Sequence, residues 1–136
     1  HGAGVHDPGP ERGDRGSDRT IANLRRYNRE HPEDARGHLL LAALYDNRSW
    51  RADVLNQLTM AYQRDPSSRG APEMLSKLIA LCADGVAVAD VTRFVRDAFG
   101  KEALPALERA LRMPRYNEAQ RARLSALRDA LSEVQL

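Results

Sequence analysis

The chain has 136 residues, 42% of them hydrophobic and 29% charged, with a net charge of +2; this fits one globular domain or a compact repeat array and is too little charge for a dedicated polyanion binder. Aromatic residues make up 5%, which argues against a stacking platform for single-stranded nucleic acid, and the single Cys excludes a disulfide framework and a multi-cysteine zinc site. The basic charge is 19 Arg against 2 Lys, and 20 Ala with 17 Leu give a strongly helical composition.

Residues 1–17 hold five Gly and two Pro and, apart from Ala3 and Val5, nothing to bury; they are expected to form a flexible tail or linker. Gly2 and Gly4 lack the preceding strand and following helix of a phosphate loop, and His1 and His6 read as tail residues rather than metal ligands. His1 in place of an initiator Met fits a segment of a longer protein. No signal-peptide pattern and no membrane-spanning apolar run occurs in the chain.

The first helix is expected from an N-cap at Ser17 or Asp18 to about Glu30, with Ile21, Leu24 and Tyr27 along one side and Pro32 as its stop. The second, about 34–47, contains the apolar run LLLAALY at 39–45 and needs cover on several sides. The third, about 50–64, carries Val54, Leu58 and Ala61 and is broken by Asp65-Pro66-Ser67-Ser68. The fourth starts near Pro72, shows Leu75, Leu78, Ile79 and Cys82 at helical spacing, and is capped by Gly85. Residues 86–90, VAVAD, alternate like a strand but have no partner strand, so a loop running into a helix is expected.

The fifth helix holds Val88, Val91, Phe94, Val95 and Ala98 and ends at Gly100. The sixth, about 102–112, carries Leu104, Leu107 and Leu111 with Pro105 in its first turn; Pro114 closes it. The seventh starts at Asn117, with Gln120 at capping-box spacing and a stripe of Leu124, Leu127, Leu131 and Val134. Short turns between seven helices predict an all-α chain of antiparallel neighbours stacked in order.

At an offset of 34, Leu24 falls on Leu58, Tyr27 on Ala61 and Pro32 on Pro66. With Leu41, Ala42, Tyr45, Val54, Leu58, Ala61 and Pro66, the unit ending at Pro66 resembles a tetratricopeptide repeat, although His38 and Val54 depart from its usual residues. Small Ala42 and Ala61 would let the paired helices approach, and Pro66 would turn the chain to the next unit. The resemblance implies a right-handed helical-repeat array: tetratricopeptide-like over 18–68, a divergent helix pair over 69–100, and a HEAT-like pair over 101–136 carried by ALPAL at 103–107. It also implies an inner peptide-binding surface of Arg36, Leu39, Ala43, Asp46 and Asn47. Ala43 stands where the carboxylate-clamp Asn of such grooves would be.

A tail, one tetratricopeptide-like unit, DPSSRGAPEMLSKLIAL and GKEALPALERAL follow one another over about residues 20–134. This order resembles the C-terminal accessory region of large bacterial serine/threonine protein kinases from high-GC organisms, which favour Arg over Lys. The resemblance implies a non-catalytic regulatory or docking region, cytoplasmic, or periplasmic where a transmembrane segment precedes it. Its partner would be a protein or peptide, its own kinase domain or a second copy. The kinase catalytic motifs are absent, and Asp97-Ala98-Phe99-Gly100 is not a DFG.

Cys82 lies on an apolar stripe and reads as a core thiol; His31 reads as a helix-end residue and His38 as a packing residue. No HExxH, CxxC or GxSxG occurs, so neither a catalytic constellation nor a cofactor or metal site is expected. One arginine cluster is Arg25, Arg26 and Arg29. A second candidate docking face, for an acidic or phosphorylated partner, comprises Arg109, Arg112, Arg115, Arg121 and Arg123, continuing to Arg128. The competing reading has these arginines line polar helix faces beside Glu108, Glu118 and Asp129. The functional alternatives are an adaptor in pilus, secretion or envelope assembly and a helical-repeat nucleic-acid binder. The second is disfavoured by the low net charge, the few aromatics and the period of 34.

Overall fold

The computed structural model describes the backbone of residues 8–133 and the side chains from residue 16 onward. Seven α-helices account for most of it: α1 Pro8–Glu30, α2 Arg36–Asn47, α3 Arg51–Arg64, α4 Pro72–Ala83, α5 Val88–Ala98, α6 Leu104–Leu111 and α7 Glu118–Ser132. Short 3₁₀ turns lie at Pro66–Gly70 and Gly100–Ala103. Among the described residues no strand forms, and the alternating VAVAD segment becomes a two-residue loop and the first turn of α5.

Helix α1 begins at Pro8 rather than at Ser17 or Asp18, so the tail expected over 1–17 is corrected for 8–17. Pro8 and Pro10 fall in the first turn, where a missing N–H removes no internal bond and the fixed φ suits a helix. Asp18 is not a cap; its carboxylate takes Arg48 Nη2 at 2.6 Å and ties α1 to the end of α2. The expectations placed on Gly2, Gly4, His1, His6 and Val134 lie outside the described residues.

Helix α2 packs between α1 and α3. It buries Gly37, His38, Leu41, Ala42 and Tyr45. A Cβ at residue 37 would lie 2.0 Å from Asn28 Oδ1, so glycine is what lets α1 approach α2 here. The apolar run is not covered on every side, because Leu40 stays 56% exposed. Val54, Leu58 and Ala61 of α3 are buried against α2. After α3 the chain turns as expected at Pro66, where the Asp65 carboxylate accepts the Ser67 backbone N–H at 3.1 Å.

The ends of α2 and α4 share one device. The Trp50 N–H reaches Tyr45 O at 2.9 Å and the Ser49 N–H reaches Asp46 O at 3.0 Å; Val86 to Leu81 O and Gly85 to Cys82 O, both at 3.0 Å, repeat the pattern after α4. Both are Schellman caps and need a left-handed residue at the turn. Gly85 takes it at φ 78°, and Ser49 takes it at φ 61°.

Helix α4 is the hub of the second half. It contacts α5, α6 and α7, and it joins α3 at the boundary with the first half. Helix α7 returns to lie along α4 as well as α6 and α5, so packing does not simply follow chain order here. The core runs through both halves, from Leu41 and Leu58 through Met74, Leu78 and Leu81 to Leu107, Leu124, Leu127 and Leu131.

Candidate docking groove

The five residues expected on the inner face of α2 do not share one recess. Arg36 is engaged locally: its Nε and Nη2 grip Asp34 at 3.0 and 2.7 Å, and Nη2 reaches the Tyr27 hydroxyl at 3.3 Å. The Tyr27 hydroxyl donates a short hydrogen bond to the same carboxylate. These bonds from Arg36 and Tyr27 hold the Asp34 carboxyl well below the usual carboxylate range, and the bond to Asp34 pushes the Tyr27 phenol up. Arg36 and Leu39 line a shallow hollow with Asp65 and Ser68. Asp46 lines a different, polar hollow. There Lys77 approaches it at 4.0 Å, Arg51 pairs with Asp84, and Gln120 Nε2 donates to Asp84 at 2.9 Å. Ala43 is half-buried and Asn47 is exposed; neither lines either of these two hollows.

The C-terminal arginine face divides into two roles. Arg123 donates to Ala83 O at 2.6 Å and so closes the carbonyl end of α4. Arg121 donates to Leu111 O at 3.3 Å and Met113 O at 3.0 Å, doing the same for α6. Cations at helix C-termini meet both the unpaired carbonyls and the negative end of the dipole. Arg109, Arg112 and Arg115 are exposed, and among the described residues none of the three meets a carboxylate. Of the acids expected to neutralise this face, Glu108 at 3.8 Å and Asp129 at 3.6 Å serve its last member, Arg128. In the other cluster, Arg25 donates to the Tyr45 hydroxyl through Nη2 at 2.7 Å and Arg26 to Asn23 Oδ1 at 3.0 Å.

Two of the free arginines, Arg109 and Arg115, stand over a groove between α4 and α6 with a volume of about 390 Å³. Its floor is apolar. Leu75 and Ile79 come from α4, Ala106 and Ala110 from α6. These pairs sit at i and i+4 on their helices, so each helix turns one face to the groove. The small side chains on α6 leave the space that a Leu there would fill. Phe99, before α6, and Met113 and Tyr116, after it, complete the wall. Met113 is 38% exposed, large for a thioether. Tyr116 is buried, and its hydroxyl accepts from Arg115 Nη2 at 3.1 Å while the guanidinium stands 4.9 Å above its ring. A third arginine, Arg69, completes the rim from the 3₁₀ turn after α3. It lies 5.8 Å over the Phe99 ring and pairs with Glu102 at 2.7 Å. No carboxylate lines the groove itself.

The other chemistry-bearing side chains have structural surroundings. Cys82 is fully buried, its Sγ 3.8 Å from Arg123 O, and burial pushes the thiol up. His31 stacks on Tyr27 with ring centroids 4.2 Å apart. His38 is buried and its Nδ1 bonds Gln57 Oε1 at 2.8 Å. Among the described residues no three His, Cys, Asp or Glu side chains gather as a metal site would require, and no helix is long and apolar enough to cross a membrane.

Sequence reading found Arg109 and Arg115 but missed the groove, because its rim joins positions 69, 109 and 115 from three separate segments. The available signal was the pairing of bulky Leu75 and Ile79 on one helix with small Ala106 and Ala110 on another. No family model matches the chain, and no curated protein and no solved structure matches it.

Proposed function

We propose that this chain is a non-catalytic protein-interaction module that receives a segment of a partner protein in the α4–α6 groove. The observation that carries the reading is the combination at one place of an apolar floor and two exposed arginines, Arg109 and Arg115, that meet no carboxylate among the described residues. A pocket lined mostly by apolar groups with a few placed polar ones is the usual form of a binding site. Arg and Met are also enriched at protein interfaces.

The tetratricopeptide-like character of 18–68 and the HEAT-like character of 101–136 belong to the same proposal. Buried Ala42 and Ala61 at the α2–α3 contact, with Leu41, Tyr45 and Leu58 around them, support the first. The contact between α6 and α7 supports the second. A regulatory or docking role beside a bacterial serine/threonine kinase rests on the sequence resemblance.

The test is selection of displayed peptides against the wild-type chain, with counter-screening on Ala106→Trp and Ser76→Trp, two variants that fill the groove from half-buried and exposed positions. Peptides that bind wild type and lose binding to both variants, with helicity and melting of the variants unchanged, are expected. Peptides that bind all three chains alike would defeat the reading.

A further inference from the structure

We infer that the α4–α6 groove takes an acidic amphipathic segment, whose apolar side chains enter the groove while its carboxylates pair with Arg69, Arg109 and Arg115. This inference rests on the docking reading above and adds the chemistry of the partner. The argument is one of charge complementarity. Among the described residues the Arg109 guanidinium makes no hydrogen bond or ion pair, and that of Arg115 bonds only the Tyr116 hydroxyl. Guanidinium forks match carboxylates bidentately, which gives a directed contact rather than a diffuse attraction. The groove lining holds three arginines and no acidic residue, and of the three only Arg69 has a carboxylate partner, although the chain as a whole is only +2.

The third rim arginine shows what the first two lack. Arg69 already holds a carboxylate, that of Glu102 at 2.7 Å, and both side chains remain solvent-exposed. Glu102 therefore occupies one of the three positions that an acidic partner would use. An exposed pair of this kind contributes little to stability, since solvent screens it, so a partner carboxylate can displace it at small cost. Glu102 acts as an internal competitor. Removing its charge should tighten binding, an effect in the opposite direction from ordinary damage to a site.

A labelled Leu/Glu amphipathic peptide and its Leu/Gln counterpart, read by fluorescence anisotropy on the full chain, test this. The Leu/Glu probe should bind at least about tenfold more tightly than Leu/Gln, and the preference should shrink as salt rises. Joint Arg109→Gln and Arg115→Gln substitution should abolish the preference. Arg112→Gln removes one charge, half of what the paired variant removes, from an exposed position outside the groove and should leave binding unchanged. Glu102→Gln should tighten the Leu/Glu probe by roughly threefold, the scale of one exposed ion pair.

Equal binding of both probes, lost in Ala106→Trp, would overturn the acidic specificity while leaving the docking reading intact. Binding of neither probe, together with groove-dependent peptides from the selection, would do the same. A short single-stranded DNA that displaces the Leu/Glu probe, and that binds Ala106→Trp as well as wild type, would overturn the inference in favour of a diffuse polyanion surface. Loss of binding in Arg112→Gln to the same degree as in the paired variant would overturn it too.

Discussion

Ser49 shows most directly how a single position carries more information than its side chain. The cap that ends α2 needs a left-handed residue, and Ser49 adopts φ 61° there without help from a glycine. Its N–H bond to Asp46 O would survive in glycine. The left-handed conformation costs a non-glycine residue about 1–2 kcal/mol, and the added freedom of a glycine in the unfolded chain returns part of that. Ser49→Gly should therefore raise the unfolding free energy by about 0.5–1 kcal/mol, measured by urea denaturation. The equivalent position after α4 already holds Gly85, and only that cap was legible in the sequence, because a Ser in a turn signals nothing about φ. Asp34 offers a second residue-level test, and its sign is fixed by the lowered carboxyl. Its contribution is fully present above the ordinary carboxylate pKa of about 4 and is lost as pH falls through the depressed folded value. The stability gap between wild type and Asp34→Asn should be flat from neutral pH down to about pH 5 and shrink below about pH 4. A gap that persists unchanged in acid would show that the Arg36 and Tyr27 contacts act without the charge.

At the scale of elements, the local signals were read well and the tertiary ones were not. The capping box of α7 is the clearest case. The Gln120 N–H donates to Asn117 Oδ1 and the Asn117 N–H to Gln120 Oε1, both at 2.8 Å, at the two positions that the sequence spacing picks out. Such a box lies within four residues and needs no partner helix. Asn117→Ala should cost about 1 kcal/mol of stability, with loss of helicity confined to the first turn of α7 in chemical-shift data. The C-terminal arginines illustrate the opposite. Arg123 reaches a carbonyl forty residues away on α4, and Arg121 one ten residues away. Spacing along the chain cannot tell these from Arg109 on α6 or from Arg112 and Arg115 in the turn between α6 and α7. Only the fold decides which guanidinium finds a helix end and which stays without one. The start of α1 was missed for a related reason: Gly and Pro lower the expectation of a helix, yet Pro in a first turn does not oppose one.

For the whole molecule, the question that the packing raises is how many units unfold together. Stacking in chain order would let the last helix come away alone, as nearest-neighbour repeat arrays do. Helix α7 instead lies against α4, α5 and α6, and α4 itself joins α3. Leu124, Leu127 and Leu131 of α7 are fully buried in the same core as Leu78 and Leu81 of α4. This closure was not legible in the sequence, because the apolar stripes of α4 and α7 state that each helix has a buried face and not which helix faces it. The consequence is measurable. Leu127→Ala should destabilise the chain by about 2–5 kcal/mol, the range for a buried leucine replaced by alanine. Native-state hydrogen exchange is the discriminating readout, since contiguous cooperative units open together. In wild type, the slowest amides of α4 and α7 should share one opening free energy, and in Leu127→Ala both sets should fall by the same amount. An α7 that loses protection while α4 keeps it would mean that the return contact is not coupled, and that the second half behaves as a sequential stack. A shared fall would also place the groove within that cooperative unit. The wall that carries Leu75 and Ile79 belongs to α4, against which α7 packs, so the groove is held by the helix that closes the fold.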